Sequence, residues 1–170
     1  MIYIGFITTL CLGGCSSLTQ RTTDVVYLIP DGYEGDLIVL YNVPGAKPLQ
    51  TEDGFRVVSF SPDGTAITST KDMKYGIVND KYYIIDKEGK RTKLDSSCIR
   101  PKSTGSSTDH VGEGNEHTFR FGQLEVTRTA CGPQFESAGR KVPESQPHPS
   151  EKKLEDLIQS VYDQNLLKQK

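Results

Sequence analysis

Cysteine and histidine are the residues of this chain whose types could define a chemical site. The four cysteines and three histidines are Cys11, Cys15, Cys98, Cys131, His110, His117 and His148. A cysteine can be acylated, oxidised to a disulfide or bound to a metal, and histidine is a frequent metal ligand. Acylation, disulfide formation and metal binding each require a different surrounding sequence. The segments around these cysteines and histidines therefore indicate which of the three applies.

Cys15 lies directly after an apolar run and two glycines. The run from Ile2 to Leu12 has the length of the hydrophobic region of a secretory signal. The string LGGC resembles the bacterial lipobox, in which the cysteine receives a diacylglyceryl group and the chain is cleaved before it. The resemblance implies a signal peptide at 1–14 and lipidation of Cys15. No lysine or arginine precedes the run, and the competing interpretation is a strand with a buried Cys15.

Lipidation of Cys15 predicts where the protein resides. Residues 15–23 would form a tether between the membrane and a folded domain in the bacterial cell envelope. Ser16 and Ser17 follow the cysteine, and their resemblance to enterobacterial sorting signals implies the periplasmic face of the outer membrane if the host is Gram-negative. No apolar run reaches the roughly 20 residues of a membrane-spanning helix, so the lipid is the predicted membrane anchor.

Cys98 and Cys131 remain once Cys11 leaves with the signal peptide and Cys15 carries lipid. Disulfides persist outside the cytosol, so these two cysteines are predicted to pair and to pin the intervening segment to the domain. Two independent free thiols are the alternative. The chain has no CxxC motif, so nothing favours a thioredoxin-type redox role.

His110 and His117 lie in a segment with nearby carboxylates. Asp109, Glu113 and Glu116 are close to them in sequence, and imidazole and carboxylate groups together bind zinc or copper. However, the spacing matches no helical metal motif, and the surrounding serines and glycines offer no rigid support for ligands. We therefore predict a solvated polar loop, with no metal and no cofactor.

Motifs of catalysis are missing from the sequence. It contains no GxSxG, HExxH, P-loop or GxGxxG string, so we predict that the protein is not an enzyme and assign no catalytic residue. The net charge is only −2, which argues against a nucleic-acid partner. Several tyrosines could line a ligand surface or pack across strands. They are Tyr27, Tyr33, Tyr41, Tyr75, Tyr82 and Tyr83.

Short apolar runs separated by turns fill the body of the chain. The predicted strands are 24–29, 36–42, 55–60, 65–70, 82–86, 90–94 and 117–128. They favour a mainly β domain over 24–135, folded as an antiparallel β-sandwich. A phase slip at Gly122 predicts a bulge, and the Ser/Gly-rich stretch 101–116 predicts a mobile loop. The string FSPDGT occurs once and is interpreted as a hairpin turn.

The C-terminal part has a different pattern. A proline-containing linker at 136–149 leads to a segment at 150–170 with Ser150 as a candidate N-cap. Apolar residues recur there near helical spacing, at Leu154, Leu157, Ile158, Val161 and Leu166. The pattern predicts an amphipathic helix that packs either on its own domain or on another envelope protein.

The stretch from Val25 to Leu94 resembles a family of uncharacterised bacterial lipoproteins and secreted proteins. Its pattern is Y-L-I-P-x-G-Y-x-G, a strand ending near a tyrosine, D-G-x-R-V and a P-x-x-G turn. The matching residues are Tyr27 to Pro30, Gly32, Tyr33, Gly35, Tyr41, Asp53, Gly54, Arg56, Val57, Pro62 and Gly64. The resemblance implies a domain of unknown function with a transthyretin-like or related β-sandwich, and it brings no catalytic residues.

Together these patterns predict a lipid-anchored protein of the cell envelope that acts as a binding or structural module. The alternative is an envelope hydrolase or metal-handling protein that uses the region of His110 and His117. A third hypothesis is an assembly lipoprotein that contacts a partner through its C-terminal helix.

Overall fold

A computed structural model describes residues 21–110, 116–137 and 149–164. The strands are β1 (Val25–Pro30), β2 (Gly35–Tyr41), β3 (Gln50–Glu52), β4 (Phe55–Ser59), β5 (Thr65–Ile67), β6 (Lys81–Ile85), β7 (Arg91–Leu94), β8 (Ile99–His110) and β9 (Glu116–Val126). The helices are α1 (Pro133–Ser137) and α2 (Pro149–Asp163), and a 3₁₀ turn covers Ser96–Cys98. None of the helices in the described ranges is long and apolar enough to cross a membrane.

The strands form two mixed sheets, with orders β3-β4-β1-β6-β7 and β5-β2-β9-β8. The central strand β1 pairs in parallel with both β4 and β6, and β2 pairs in parallel with β5. The expectation of an antiparallel fold is therefore wrong for these pairs. The reason is that the turn after β1 carries the chain into the other sheet, so the neighbours of β1 arrive later, through crossovers, in the same direction.

The FSPDGT string does not join a hairpin. Its tight turn is closed by Gly64 N–H donating to Ser61 O at 2.8 Å, but the flanking strands β4 and β5 lie in different sheets. The turn therefore moves the chain from one sheet to the other. A local turn signal identifies the change of direction but not the sheet that the next strand joins.

Apolar residues from both sheets meet in one core. Alternate residues of β1 and β2 point into it, including Val25, Ile29, Leu37 and Val39, because successive side chains of a strand face opposite sides. The opposite side of β2, with Ile38 and Leu40, belongs to a second core. Strand β2 is thus buried on both faces, which explains its continuous aliphatic sequence.

Helix α2 closes that second core. Leu157, Ile158 and Val161 are buried against Phe119 of β9 and the aliphatic residues of β2. The apolar stripe predicted for 150–170 is thus packed on its own domain over the part that the structure describes. Residues 165–170, including Leu166, and most of the predicted linker 136–149 lie outside the described residues.

The stretch predicted as a mobile loop at 101–116 is largely a strand. Strand β8 pairs with β9 from Ile99 opposite Val126 to His110 opposite Glu116. Its polar side chains gave no strand signal because the pairing uses backbone groups that every sequence has.

The bulge predicted at Gly122 is not in β9, which pairs with β2 in unbroken register through Gly122. Pro101 lies opposite Leu124 and Thr104 opposite Gly122, so the extra residue is on the partner strand β8. The phase of β9 changes because Phe119 and Phe121 face the second core and Leu124 and Val126 face the first.

Candidate functional site

A cleft of about 270 Å³ opens between the two sheets. Its walls come from β1 and β6 on one side, from β2, β8 and β9 on the other, and from the crossover between β5 and β6. The apolar side chains that line it are Val25, Tyr27, Val39, Tyr41, Met73, Tyr75, Val78, Tyr82 and Leu124. The cleft therefore offers mainly carbon surface, contributed by segments distant in sequence.

Tyrosines supply most of the aromatic surface. Tyr27 and Tyr82 face each other across β1 and β6, and their rings stack with centroids 5.3 Å apart. Burial raises the pKa of Tyr27, Tyr41 and Tyr82 above the usual tyrosine value. Their hydroxyls therefore stay protonated at neutral pH. They give the cleft aromatic faces and neutral hydroxyl groups. The sequence left open whether the tyrosines pack across strands or line a ligand surface, and in Tyr27 and Tyr82 the structure shows both.

Asp80 is the acidic group of the cleft. Its Oδ1 accepts hydrogen bonds from Thr23 Oγ1 at 2.5 Å and from Val25 N–H at 3.0 Å. Burial raises the pKa of this carboxyl, and the nearby Asp24 carboxylate acts in the same direction. A half-buried carboxyl near an apolar cavity can accept a hydrogen bond from a polar group of a ligand.

The opposite wall is formed where β8 is irregular. Ser103 Oγ donates to Gln123 Oε1 at 2.5 Å, and Gln123 Nε2 donates to Ser150 O at the start of α2 at 3.2 Å. Gly122 lies next to this pair. A Cβ atom at Gly122 would lie 3.7 Å from Met73 Cε, so the missing side chain leaves room in the cleft.

Tyr33 and Tyr83, the other two tyrosines considered in the sequence analysis, lie outside the cleft. Tyr83 is half-buried on β6. Tyr33 packs against Gly64, and its hydroxyl donates to Asp36 O at 2.5 Å and accepts from Lys153 Nζ at 2.7 Å. Burial and the nearby carboxylates raise the pKa of Tyr33 to about 12. Residues of the Y-L-I-P-x-G-Y-x-G and P-x-x-G strings thus meet at one point, where α2 is attached.

His117 is a structural residue in this fold. Its Nε2–H donates to Asn42 O at 2.6 Å, and its ring packs edge-on against Phe119 at 4.7 Å. Within the described ranges, no three histidine, cysteine, aspartate or glutamate residues are grouped to hold a metal. Glu113 and His148 lie outside those ranges. No observation on the described residues favours the alternative of a hydrolytic or metal site near His110 and His117.

Cys98 and Cys131 are joined by a disulfide in the structure. Cys98 is buried at the end of the 3₁₀ turn, and Cys131 follows β9. Cys11, Cys15 and residues 1–20 in general lie outside the described residues. The lipidation of Cys15 therefore remains a prediction from the sequence.

Sequence reasoning did not identify Asp80, Met73 or Gly122 as cleft residues. Each lies in a segment with a weak pattern, and only the crossing of two sheets brings them together. The signals that the sequence did give near the cleft were the tyrosines Tyr27, Tyr41, Tyr75 and Tyr82 and the phase slip at Gly122.

Comparisons with known proteins identify the family to which the chain belongs. The model of the Family of unknown function (DUF6843) matches residues 21–135, which include both sheets and the disulfide. A crystal structure named "Putative Lipoprotein", from Bacillus anthracis, is 59% identical, with a TM-score of 0.76, and the alignment covers 84% of this chain and 96% of that one. The search of curated proteins gives no match. The chain therefore belongs to DUF6843, a family whose function is unknown.

Proposed function

We propose that this protein is a lipid-anchored binding module of the bacterial cell envelope, and that the cleft between the sheets is its binding site. The observation that carries the proposal is the cleft itself, about 270 Å³ of mainly apolar space with a hydrogen-bonding group at Asp80. Binding sites for small molecules combine apolar walls with a few polar groups in this way. We assign no catalytic residue and no cofactor to it.

The chemistry of the walls defines the class of ligand. Tyr27, Tyr41 and Tyr82 offer ring faces and protonated hydroxyls, which suit an aromatic or aliphatic molecule with one polar group. The volume is slightly below the range of about 300–1,000 Å³ found for drug-sized ligands, so the ligand is small or only partly enclosed.

Filling the cleft at Gly122 is expected to weaken binding. Indole is a suitable probe because it is aromatic, small and has a single polar N–H group. We expect indole to shift the methyl NMR signals of Val25 and Val39, which line the cleft, more than that of Val58, which is buried in the core outside it. In Gly122→Val the added side chain extends toward Met73, and we expect the affinity for indole to fall at least fivefold.

Thr108→Val is the matched control, because Thr108 is exposed on β8 and does not line the cleft. It should bind indole as the wild type does. A thermal unfolding curve for each variant separates lost binding from lost folding. Equal affinity in wild type and Gly122→Val, with both folded, would remove the cleft as the binding site.

The lipid anchor rests on the LGGC string and on the 59% identical relative whose name includes the word lipoprotein. We expect the wild type to incorporate an alkyne-tagged fatty acid in growing cells, and Cys15→Ser to lose the label, since the serine oxygen cannot form the thioether. Cys11→Ser is the matched control and should keep the label, because Cys11 belongs to the signal peptide. Unchanged labelling of Cys15→Ser would contradict the anchor.

The finer parts of the proposal rest on the same resemblances. The two sheets with a common core support a sandwich-like arrangement, and the transthyretin-like topology is proposed from the family resemblance alone. Placement on the periplasmic face of the outer membrane is proposed only for a Gram-negative host. A partner that binds α2 would have to use its exposed polar face, since the apolar stripe is packed on β2 and β9.

A further inference from the structure

The crossover between β5 and β6 carries an exposed apolar patch, which we define as Tyr75, Ile77 and Val78. These are the large hydrophobic residues that are exposed in the described part of the chain, with exposed fractions of 56%, 51% and 64%. They lie within four consecutive residues and beside the mouth of the cleft. A cluster of this kind marks a contact surface more often than isolated exposed residues do.

The patch is held in place by the first described residues of the chain. Ile77 N–H donates to Arg21 O at 3.0 Å, and Thr23 N–H donates to Ile77 O at 3.0 Å. At Gly76 a Cβ atom would lie 2.1 Å from Arg21 O, so only glycine permits this close approach. The patch is therefore a fixed surface attached to the point where the N-terminal segment enters the domain.

The length of that segment places the patch near the proposed anchor. Arg21 is six residues after Cys15, and a chain spans at most about 3.3–3.6 Å per residue, so the separation is at most about 22 Å. A lipid on Cys15 would keep the edge of the domain that carries the patch close to the bilayer surface. Tyrosine and aliphatic side chains are suited to the boundary between headgroups and acyl chains.

The charges around the patch decide which lipid surface it suits. Arg21, Lys71 and Lys74 are offset by Asp24 and Asp72, which leaves a net charge of only +1 around the patch, and Lys74 is 3.9 Å from Asp24. One net positive charge gives little attraction to anionic lipids. Apolar contact is then the main contribution, and a zwitterionic bilayer is sufficient.

From these observations we infer that the patch Tyr75, Ile77 and Val78 rests on the lipid bilayer to which the protein is anchored. The inference depends on the proposed lipid anchor at Cys15. It adds an orientation: the edge formed by the patch and residues 21–23 faces the membrane, and the mouth of the cleft opens beside the lipid headgroups.

Site-specific labelling of the full lipidated chain tests this orientation. The protein is purified from membranes and reconstituted into phosphatidylcholine vesicles that contain doxyl-labelled lipid. Val78→Cys and Glu88→Cys are labelled with a thiol-reactive NBD fluorophore. Both positions are exposed, and they lie beyond opposite ends of β6. The lipid on Cys15 and the Cys98–Cys131 disulfide leave the introduced thiol as the reactive group.

We expect the doxyl lipid to quench NBD at position 78 at least twofold and to leave position 88 nearly unchanged. Replacing a third of the phosphatidylcholine by phosphatidylglycerol should change this result little. Equal quenching at both positions, in protein that floats with the vesicles, would overturn the inference and leave the anchor intact. Protein that does not float with the vesicles would overturn the anchor and, with it, the inference.

Discussion

Reduction of the Cys98–Cys131 disulfide is expected to lower the free energy of unfolding by about 3–4 kcal/mol, the value that chain entropy gives for a loop of this size. The bridge spans 33 residues, which contain the whole of β8 and β9. Without it, the unfolded chain gains the freedom to separate these two points. Since a typical domain is stable by only about 5–15 kcal/mol, the loss is a large part of the total.

The local structure concentrates the effect at one corner of the domain. Cys98 O accepts from Thr127 N–H, and Ser97 O accepts from Gly132 N–H, both at 3.0 Å. Nearby, Arg100 forms a buried ion pair with Glu125, and its Nη1 donates to Phe135 O in α1 at 3.1 Å. Apart from the disulfide, α1 is attached to this corner by the hydrogen bond from Arg100 and by the packing of Arg100 on the Phe135 ring, so reduction should loosen α1 first.

Denaturant unfolding with and without dithiothreitol measures the effect. The double variant Cys98→Ala/Cys131→Ala is the control, and its midpoint should not respond to dithiothreitol. Hydrogen exchange should show faster exchange at Gly132 than at Val39 in the reduced protein, because Val39 lies in the core between the sheets. An identical midpoint for oxidised and reduced wild type would contradict the prediction.

The sequence predicts strands well where a strand is apolar. The runs around β1, β2, β4 and β6 are rich in Val, Ile, Leu and Tyr, and the structure has strands there within one or two residues of the predicted bounds. The strands predicted at 82–86 and 90–94 correspond to β6 and β7, which pair antiparallel as a hairpin. Side-chain alternation carries this information because these strands bury one or both faces.

The partners of the strands could not be predicted in the same way. The parallel pairing of β1 with β4 and β6 depends on crossovers, and β8 is polar on most of its length. The pairing of β1 with β4 and β6 and the pairing of β8 with β9 are made by backbone hydrogen bonds, which do not depend on the type of side chain. The cleft was missed for a related reason: Asp80, Met73 and Gly122 become neighbours only after the two sheets are placed face to face.

Gly64→Ala is expected to lower the free energy of unfolding by about 3 kcal/mol, because it combines backbone strain with the loss of a packed ring. Gly64 has φ of 77°, a conformation that costs other residues about 1–2 kcal/mol. A Cβ atom there would lie 2.2 Å from the ring carbon and the hydroxyl oxygen of Tyr33. The tyrosine ring must therefore move away.

Displacing Tyr33 would also release the start of α2. Lys153 Nζ donates to Tyr33 Oη at 2.7 Å and to Asp36 O at 2.6 Å, and its charge lies 5.2 Å from the centre of the Tyr33 ring. Burial lowers the pKa of Lys153 below the usual lysine value, so the ammonium depends on these acceptors for its solvation. The steric effect at Gly64 would thus extend to the attachment of the helix.

Gly89 provides a matched control for the strain alone. It has φ of 83° and its N–H donates to Asp86 O in a similar tight turn, but a Cβ atom there would meet nothing within 4 Å. Gly89→Ala should therefore cost only the strain, about 1–2 kcal/mol. In a Tyr33→Ala background, Gly64→Ala should cost no more than Gly89→Ala, since the ring is absent. Urea unfolding measures the loss of unfolding free energy for each variant. If Gly64→Ala and Gly89→Ala lose the same amount in the wild-type background, Tyr33 does not require a glycine at position 64.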